Sequence, residues 1–239
     1  MSRLTKNTFR FEVVSSGKCF LEGLCCALMI FVLCACESGD SDSSFRKNLP
    51  LFQAASEGRS DLAKELLDSG LDVNSTDPGG ETPLMYAAVE GHVDTVLLLI
   101  DRGARVNAAS RTKETALARA ARMGRIEVVQ ALLDHGAAVE LGMAYAGTPL
   151  MAAASSGQVN IVRLLLVSGA DPNARDQEGD SALAYCASQA GSTEVASILL
   201  EAGADINARN NLGKTPLTWA MESGHMGLVQ FLKGSGGGE

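Results

Sequence analysis

Large side chains are scarce in this sequence. Aromatic residues make up 5% of the 239 residues and include a single tryptophan, whereas hydrophobic residues together make up 46%. Small residues fill the difference, and glycine alone occurs 25 times. This composition favours many thin helical layers in contact over one thick core, in a chain long enough for one or two ordinary domains.

Cysteine is nearly absent from the body of the chain. Five of the six cysteines lie within the first 36 residues, and the sixth is Cys186. The body therefore has no intramolecular disulfide framework and no C-x-x-C metal or redox pair. Because Cys186 lies among Ala182, Ala184 and Ala187, we expect a buried, unreactive thiol.

Positive charge is also in short supply. The chain has 20 Lys and Arg against 28 Asp and Glu, and its first 36 residues hold four of these cations and two of these anions. The remaining 16 cations and 26 anions give the rest of the chain a formal charge of −10. Nonspecific nucleic-acid binding depends on neutralising phosphates, so the sequence predicts no nucleic-acid partner.

The apolar run near the N-terminus is short. Residues 23–36 carry no charge, but these fourteen residues fall below the roughly 20 that a spanning helix needs. Basic residues precede the run, as in a secretory signal peptide.

The run ends in Leu33-Cys34-Ala35-Cys36, which resembles the lipobox of bacterial lipoproteins. The resemblance implies a signal peptide over residues 1–35 and lipid attachment at Cys36. Residues 36–47 would then be a lipidated, flexible tether of an envelope protein that faces the periplasm. An ordinary cleaved signal of a secreted or soluble periplasmic protein, an uncleaved anchor and a cytoplasmic location are the alternatives.

The body repeats itself from residue 48 onward. Six triplets recur at intervals of 33 residues, with one interval of 34 before the last. They are Leu49-Pro50-Leu51, Thr82-Pro83-Leu84, Thr115-Ala116-Leu117, Thr148-Pro149-Leu150, Ser181-Ala182-Leu183 and Thr215-Pro216-Leu217. A mid-repeat glycine follows each triplet, and a second glycine follows twelve residues later in the first five units.

This period and the Thr-Pro-Leu wording resemble the ankyrin repeat. The resemblance implies an all-α solenoid of about six helix-turn-helix units with projecting β-hairpin fingers. The repeat domain would span residues 48–239, with units near 48–80, 81–113, 114–146, 147–179, 180–213 and 214–239. No unit could bury its helix pair alone, so stacking would supply the core.

Local chemistry supports the same reading. Thr82, Thr148 and Thr215 are expected to cap helices that begin with proline. The glycines at positions 70, 103, 136, 169 and 203 suit left-handed helix ends. Lys233 occupies a position where earlier units have Leu or Ile, which indicates a terminal cap.

The fifth unit has one extra residue between Leu183 and Gly191. One residue turns a helix by about 100°, so we expect a bulge or a longer turn around Ser188-Gln189-Ala190. A tolerated insertion and a functional bulge are both open.

Partner-binding candidates are the positions that the repeat does not dictate. In ankyrin arrays partners usually meet the fingertips and the concave face of the first helices. Carried over, the candidates are Arg111, Thr112, Glu114, Arg122, Met123, Met143, Tyr145, Ser155, Ser156, Gln177, Glu178 and Asp180.

Two features stand out among these positions. Met143 and Tyr145 lie on an apolar fingertip, either as an interface anchor or folded back on the adjacent finger. Arg111, Lys113, Arg122 and Arg125 form a basic region between acidic ones, which would either orient a partner or be a solvated surface.

No catalytic constellation is found. His92, His135 and His225 lie beside repeat glycines, where we expect local hydrogen bonds at helix ends. The predicted function is a monomeric, noncatalytic protein-binding module that needs no cofactor or metal. Its unidentified protein partner would be bound in the bacterial envelope. More specific alternatives are an immunity-type inhibitor of a periplasmic toxin or lytic enzyme, or an accessory factor for an envelope enzyme, for example one that handles oxidative stress.

Overall fold

A computed structural model describes residues 41–142 and 147–238. The predicted signal peptide, Cys36, Met143 and Tyr145 lie outside these ranges. The described residues fall in one compact unit that begins at Asp40.

Helices in pairs, joined by short turns and loops, make up the described chain. The first helices of the six units are α1 (Ser41–Ser56), α3 (Pro83–Glu90), α5 (Ala116–Arg122), α7 (Pro149–Ser155), α9 (Ala182–Tyr185) and α11 (Pro216–Glu222). The second helices are α2 (Ser60–Asp68), α4 (Val93–Asp101), α6 (Ile126–Asp134), α8 (Val159–Val167), α10 (Thr193–Glu201) and α12 (Met226–Gly234).

Each first helix after α1 begins at a hydroxyl cap. Thr82, Thr148 and Thr215 accept a hydrogen bond from the main-chain N–H three residues later, as predicted, and Thr115 and Ser181 do the same. Second helices end at glycines with positive φ, from +81° at Gly136 to +93° at Gly70. The sixth unit ends in the same way at Gly236, with φ +96°, although Lys233 in its second helix marks it as the terminal cap of the array.

The start of the first unit differs from the sequence expectation. Residues 41–47, predicted to be part of a flexible tether, are the first turns of α1. Phe45 explains the extension, because its ring packs edge-on against Phe52, with centroids 5.4 Å apart, and Phe52 packs in turn against Tyr86. The triplet at Leu49 therefore lies inside a helix rather than at its start.

Stacking of small and aliphatic side chains forms one continuous core. Alanines such as Ala87, Ala120 and Ala153 are fully buried on the first helices. They let these helices pack more closely to one another than the second helices do. A stack spaced in this way curves toward its first helices, so we expect these helices to line the concave side.

The loops between units are tied together by asparagine side chains. Asn74 donates to the Gly103 carbonyl at 3.0 Å and accepts from the Arg105 N–H at 2.8 Å. Asn107, Asn173 and Asn207 each form the same pair of hydrogen bonds to the following unit. In the third unit Glu140 takes this position and accepts from the Asp171 N–H of the fourth unit at 2.7 Å.

The fingers are tight turns rather than extended hairpins. Within the described ranges, strand-like pairing is limited to one isolated antiparallel β-bridge, between Ala109 and Thr115. Asp77 closes its turn by accepting from the Gly80 N–H at 2.9 Å and donating to the Glu81 carbonyl at 3.0 Å. The turns at Ser110, Asp176 and Asn210 close in the same way.

The extra residue of the fifth unit is absorbed inside its first helix. After α9 the chain forms a π-helical segment, Cys186–Ala190, and the Gly191 N–H donates to the Cys186 carbonyl at 2.8 Å. The predicted bulge around Ser188-Gln189-Ala190 is confirmed.

Candidate protein-binding surface

The fingers carry their exposed side chains on a fixed main chain. The Arg111 N–H donates to the Gly79 carbonyl of the preceding finger, and the Asn211 N–H donates to the Glu178 carbonyl, both at 2.9 Å. Asn211 also donates through its side chain to the Gln177 carbonyl at 2.8 Å. In these two pairs adjacent fingers are thus bonded to each other, so a partner that contacts them orders little chain on binding.

Several predicted candidates are exposed on this edge or beside it. Arg111, Thr112, Gln177 and Glu178 are exposed fingertip residues, and Ser156 is exposed after α7. Met123, at the end of α5, is an exposed apolar side chain on the first-helix side. Ser155 is half-buried and its hydroxyl donates to the Ala152 carbonyl at 2.9 Å, so it has a structural bond of its own.

In the predicted basic region around the third unit, two of the four basic side chains bind other groups of the chain. Arg122 pairs with the buried Glu114, and Arg125 donates from Nε to the Val89 carbonyl at 2.8 Å. Arg119, which sequence reasoning missed, binds both Glu81 and Glu114 and has only 12% of its side chain exposed. We name Asp77, Glu81, Tyr86, Glu114 and Arg119 the Arg119 cluster.

A signal for the Arg119 cluster was present in the repeat register. Arg119 lies four residues after the capping Thr115, and Glu81 directly precedes the capping Thr82. The same two positions at the other end of the array hold Trp219 and Asp180. The register therefore marks these positions as equivalent between units, but only the stacking of units shows that they meet.

Asp180 belongs to a second group, in a cleft of about 400 Å³. We name it the Trp219 cleft; its lining residues are Asp176, Glu178, Asp180, Tyr185, Ser188, Gln189 and Trp219. The Trp219 indole N–H donates to Asp180 Oδ1 at 3.0 Å, and the Tyr185 hydroxyl donates to Asp176 Oδ2 at 2.7 Å. Burial, this hydrogen bond and the surrounding carboxylates raise the pKa of Tyr185 above its ordinary value.

The histidines and Cys186 have structural surroundings. His92 Nε2 lies 2.9 Å from the Ser56 carbonyl, and His135 Nδ1 lies 2.7 Å from the Ala131 carbonyl. The His225 ring lies against Gly191, and its Nδ1 is buried without a hydrogen-bond partner among the described residues. Cys186 is fully buried, and burial raises the pKa of its thiol to about 11, consistent with the predicted inert role.

Neither a metal centre nor a spanning helix is found in the described ranges. No three His, Cys, Asp or Glu side chains gather as metal ligands there. Of the helices described, none has the length and apolar character needed to cross a membrane.

The capped helix pairs, the glycine helix ends and the stacking of successive pairs define a helical repeat solenoid, a class of scaffold that binds through its surface. The family model for ankyrin repeats matches residues 19–110, 51–143, 106–176 and 150–237. The chain belongs to the ankyrin repeat family, whose domains are generally noncatalytic modules that bind partner proteins.

Solved structures support this assignment. An ankyrin repeat domain from Acinetobacter baumannii is 30% identical, with a TM-score of 0.68 over 79% of this chain and 98% of that one. A chain in the structure of a predatory endopeptidase from Bdellovibrio bacteriovorus, in complex with an immunity protein, is 28% identical. Its TM-score is 0.69 over 77% of this chain and 97% of that one. No curated protein matches the chain significantly.

Proposed function

We propose that the protein captures one partner protein in the bacterial envelope, through its fingertips and the concave side of its first helices. Main-chain hydrogen bonds within two pairs of adjacent fingers carry this proposal. They hold the backbone of Arg111 in one pair and of Glu178 in the other in place before any partner arrives. Preorganised binding of this kind avoids the entropic cost of ordering loops.

Exposed apolar side chains supply candidate contacts on this surface. Met123 is 45% exposed, and Leu212, at the tip of the last finger, is 76% exposed. Large apolar side chains at such sites commonly anchor protein interfaces. Val167, 87% exposed at the end of a second helix, offers a matched control on the opposite side.

The proposal is tested by capture from envelope extract with the full chain as bait. Met123→Ser and the double variant Met143→Ala/Tyr145→Ala should each weaken capture of the same protein, while Val167→Ser should not. Thermal melting should be unchanged in all three, since Met123 and Val167 are exposed and Met143 and Tyr145 are predicted fingertip residues. Equal capture by every variant would refute the proposed surface.

A more specific role is immunity-type inhibition of a lytic enzyme or toxin that reaches the periplasm. The similarity to a chain from the endopeptidase–immunity protein complex favours it. An adjacent gene for a secreted hydrolase should then encode the captured partner, and adding the full chain should inhibit that hydrolase. A captured envelope enzyme whose activity is unaffected would instead support the accessory-factor role.

The envelope location rests on the Leu33-Cys34-Ala35-Cys36 pattern. Lipid attachment at Cys36 predicts that globomycin and a Cys36→Ala change each block maturation, so that the unprocessed precursor accumulates. Processing that is insensitive to both would exclude the anchor.

A further inference from the structure

The Arg119 cluster and the Trp219 cleft are two versions of one arrangement. In each, an aspartate at the base of a finger accepts from a main-chain N–H at 2.8 Å and from a tyrosine hydroxyl. The tyrosines are Tyr86 and Tyr185, each four residues after its helix cap. The carboxylate that directly precedes the cap, Glu81 or Asp180, then faces the first helix of the next unit.

The two versions differ in the side chain of the next first helix that binds this carboxylate. In the Arg119 cluster a guanidinium reaches between Glu81 and Glu114 and pairs with both. In the Trp219 cleft the equivalent residue is an indole, which donates one hydrogen bond to Asp180 and carries no charge. The guanidinium that completes the first arrangement therefore has no counterpart within the second.

The Trp219 cleft keeps its negative charge. No described Lys or Arg forms an ion pair with Asp176, Glu178 or Asp180, and no described group pairs with the Glu178 carboxylate. Lys214 lies 4.1 Å from the centre of the Trp219 ring, but its ammonium pairs with Glu222 at 2.6 Å.

One further cation lies near this finger. Arg175 directs its guanidinium to the Arg209 carbonyl at 2.6 Å and lies outside the cleft lining. It therefore leaves the three carboxylates without a paired cation in the described structure.

The lining selects among cations. A metal ion would need several free oxygens, yet both Asp176 oxygens already accept hydrogen bonds and Asp180 Oδ1 accepts two. A guanidinium needs a carboxylate edge and flat apolar walls, which Glu178 with the Tyr185 and Trp219 rings supply. The cleft volume of about 400 Å³ accommodates one such side chain.

We propose that the Trp219 cleft receives an arginine side chain of the partner protein, which binds beside the indole and supplies from outside the cation that Arg119 supplies within the array. The π-helical segment contributes Ser188 and Gln189 to the lining, so the insertion in the fifth unit helps to shape this receptor. The inference rests on the proposed protein-binding function and names the chemistry of one contact.

Trp219 is the only tryptophan of the chain, so its fluorescence reports on the cleft directly. The full chain is titrated with acetyl-Gly-Arg-Gly-amide and with the peptide that carries citrulline, the uncharged isostere, in place of arginine. The arginine peptide should give a saturable change and the citrulline peptide none. A lysine peptide should bind several-fold more weakly, because an ammonium lacks the planar edge.

Glu178→Gln should weaken the arginine peptide about tenfold, as expected when one charged hydrogen-bond partner is lost. Glu127→Gln, an equally exposed change on the second helix α6, should have no effect. No saturable change, an equal response to citrulline or lysine, or binding that is insensitive to Glu178→Gln would each overturn the inference.

A second arm separates this inference from the proposed function. Trp219→Arg, which restores the residue type of the third unit, should fill the cleft from within and reduce partner capture at least tenfold. If the unaltered chain captures no partner, the proposed function fails while the peptide titration still decides the cleft. If capture succeeds and Trp219→Arg leaves it unchanged in a folded protein, the cleft inference alone fails.

Discussion

The mid-repeat glycines of units four and five offer a matched pair for measuring how tightly the units pack. Gly157 and Gly191 occupy the same repeat position and have φ +68° and +61°. A methyl group on Gly157 would lie 3.6 Å from the Ala190 side chain, an ordinary contact. On Gly191 it would lie 2.4 Å from Nδ1 of the His225 ring, which cannot be accommodated without movement.

Both Gly→Ala changes carry the cost of a left-handed residue, about 1–2 kcal/mol. Gly191→Ala adds the cost of displacing a packed ring, about 1–3 kcal/mol. We therefore expect unfolding free energies lowered by about 1–2 kcal/mol for Gly157→Ala and by about 2–5 kcal/mol for Gly191→Ala. Urea unfolding followed by far-ultraviolet circular dichroism measures both.

A double variant isolates the ring contact. In a His225→Ala background the clash is gone, and Gly191→Ala should then cost no more than Gly157→Ala. The buried Nδ1 of His225 makes no hydrogen bond among the described residues, so this background removes packing rather than a bond. Equal costs for the two glycines in the unaltered chain, or an undiminished cost of Gly191→Ala without His225, would refute this account of the interface.

Two further predictions concern buried polar groups. Arg119→Met should lower the unfolding free energy by about 3 kcal/mol, because it leaves the mostly buried Glu81 and Glu114 without their shared cation. The Arg122 side chain is 43% exposed, so Arg122→Met should cost at most about 1 kcal/mol. Equal costs of the two changes in urea unfolding would contradict the network. Burial raises the pKa of Cys186 from 9.0 to about 11, so the unfolded chain loses this proton first and stability should fall by about 2 kcal/mol as pH rises from 9 to 11. Cys186→Ala should remove that part of the slope, and an unchanged slope would contradict it.

The repeated parts of the fold were predictable because local chemistry and stacking agree at each of them. A hydroxyl before Pro-Leu caps a helix wherever it occurs, and glycine ends one wherever a left-handed residue is needed. The insertion before Gly191 was located by counting alone, since a 34-residue interval in a 33-residue array must be absorbed somewhere.

The candidate site was less predictable, because it depends on contacts between units. The spacing of Arg119 and Glu81 did not mark them as partners, since they meet only when two units stack. The sequence showed the positive charge around Arg122. The ion pair between Arg122 and Glu114 depends on the backbone path from one residue to the other. The start of α1 was missed because Phe45 lies outside the repeat register and gains its partner, Phe52, only in the folded helix.

The π-helical segment has a consequence for how such arrays diversify. Although this segment adds a residue, the Asn173 side chain still donates to the Gly203 carbonyl and the Asn207 side chain to the Gly236 carbonyl, as the equivalent asparagines do elsewhere. The length change is confined to the end of one first helix and is not passed on to the next unit. A one-residue insertion can therefore reshape the surface of one unit while the bonds between neighbouring units keep their pattern.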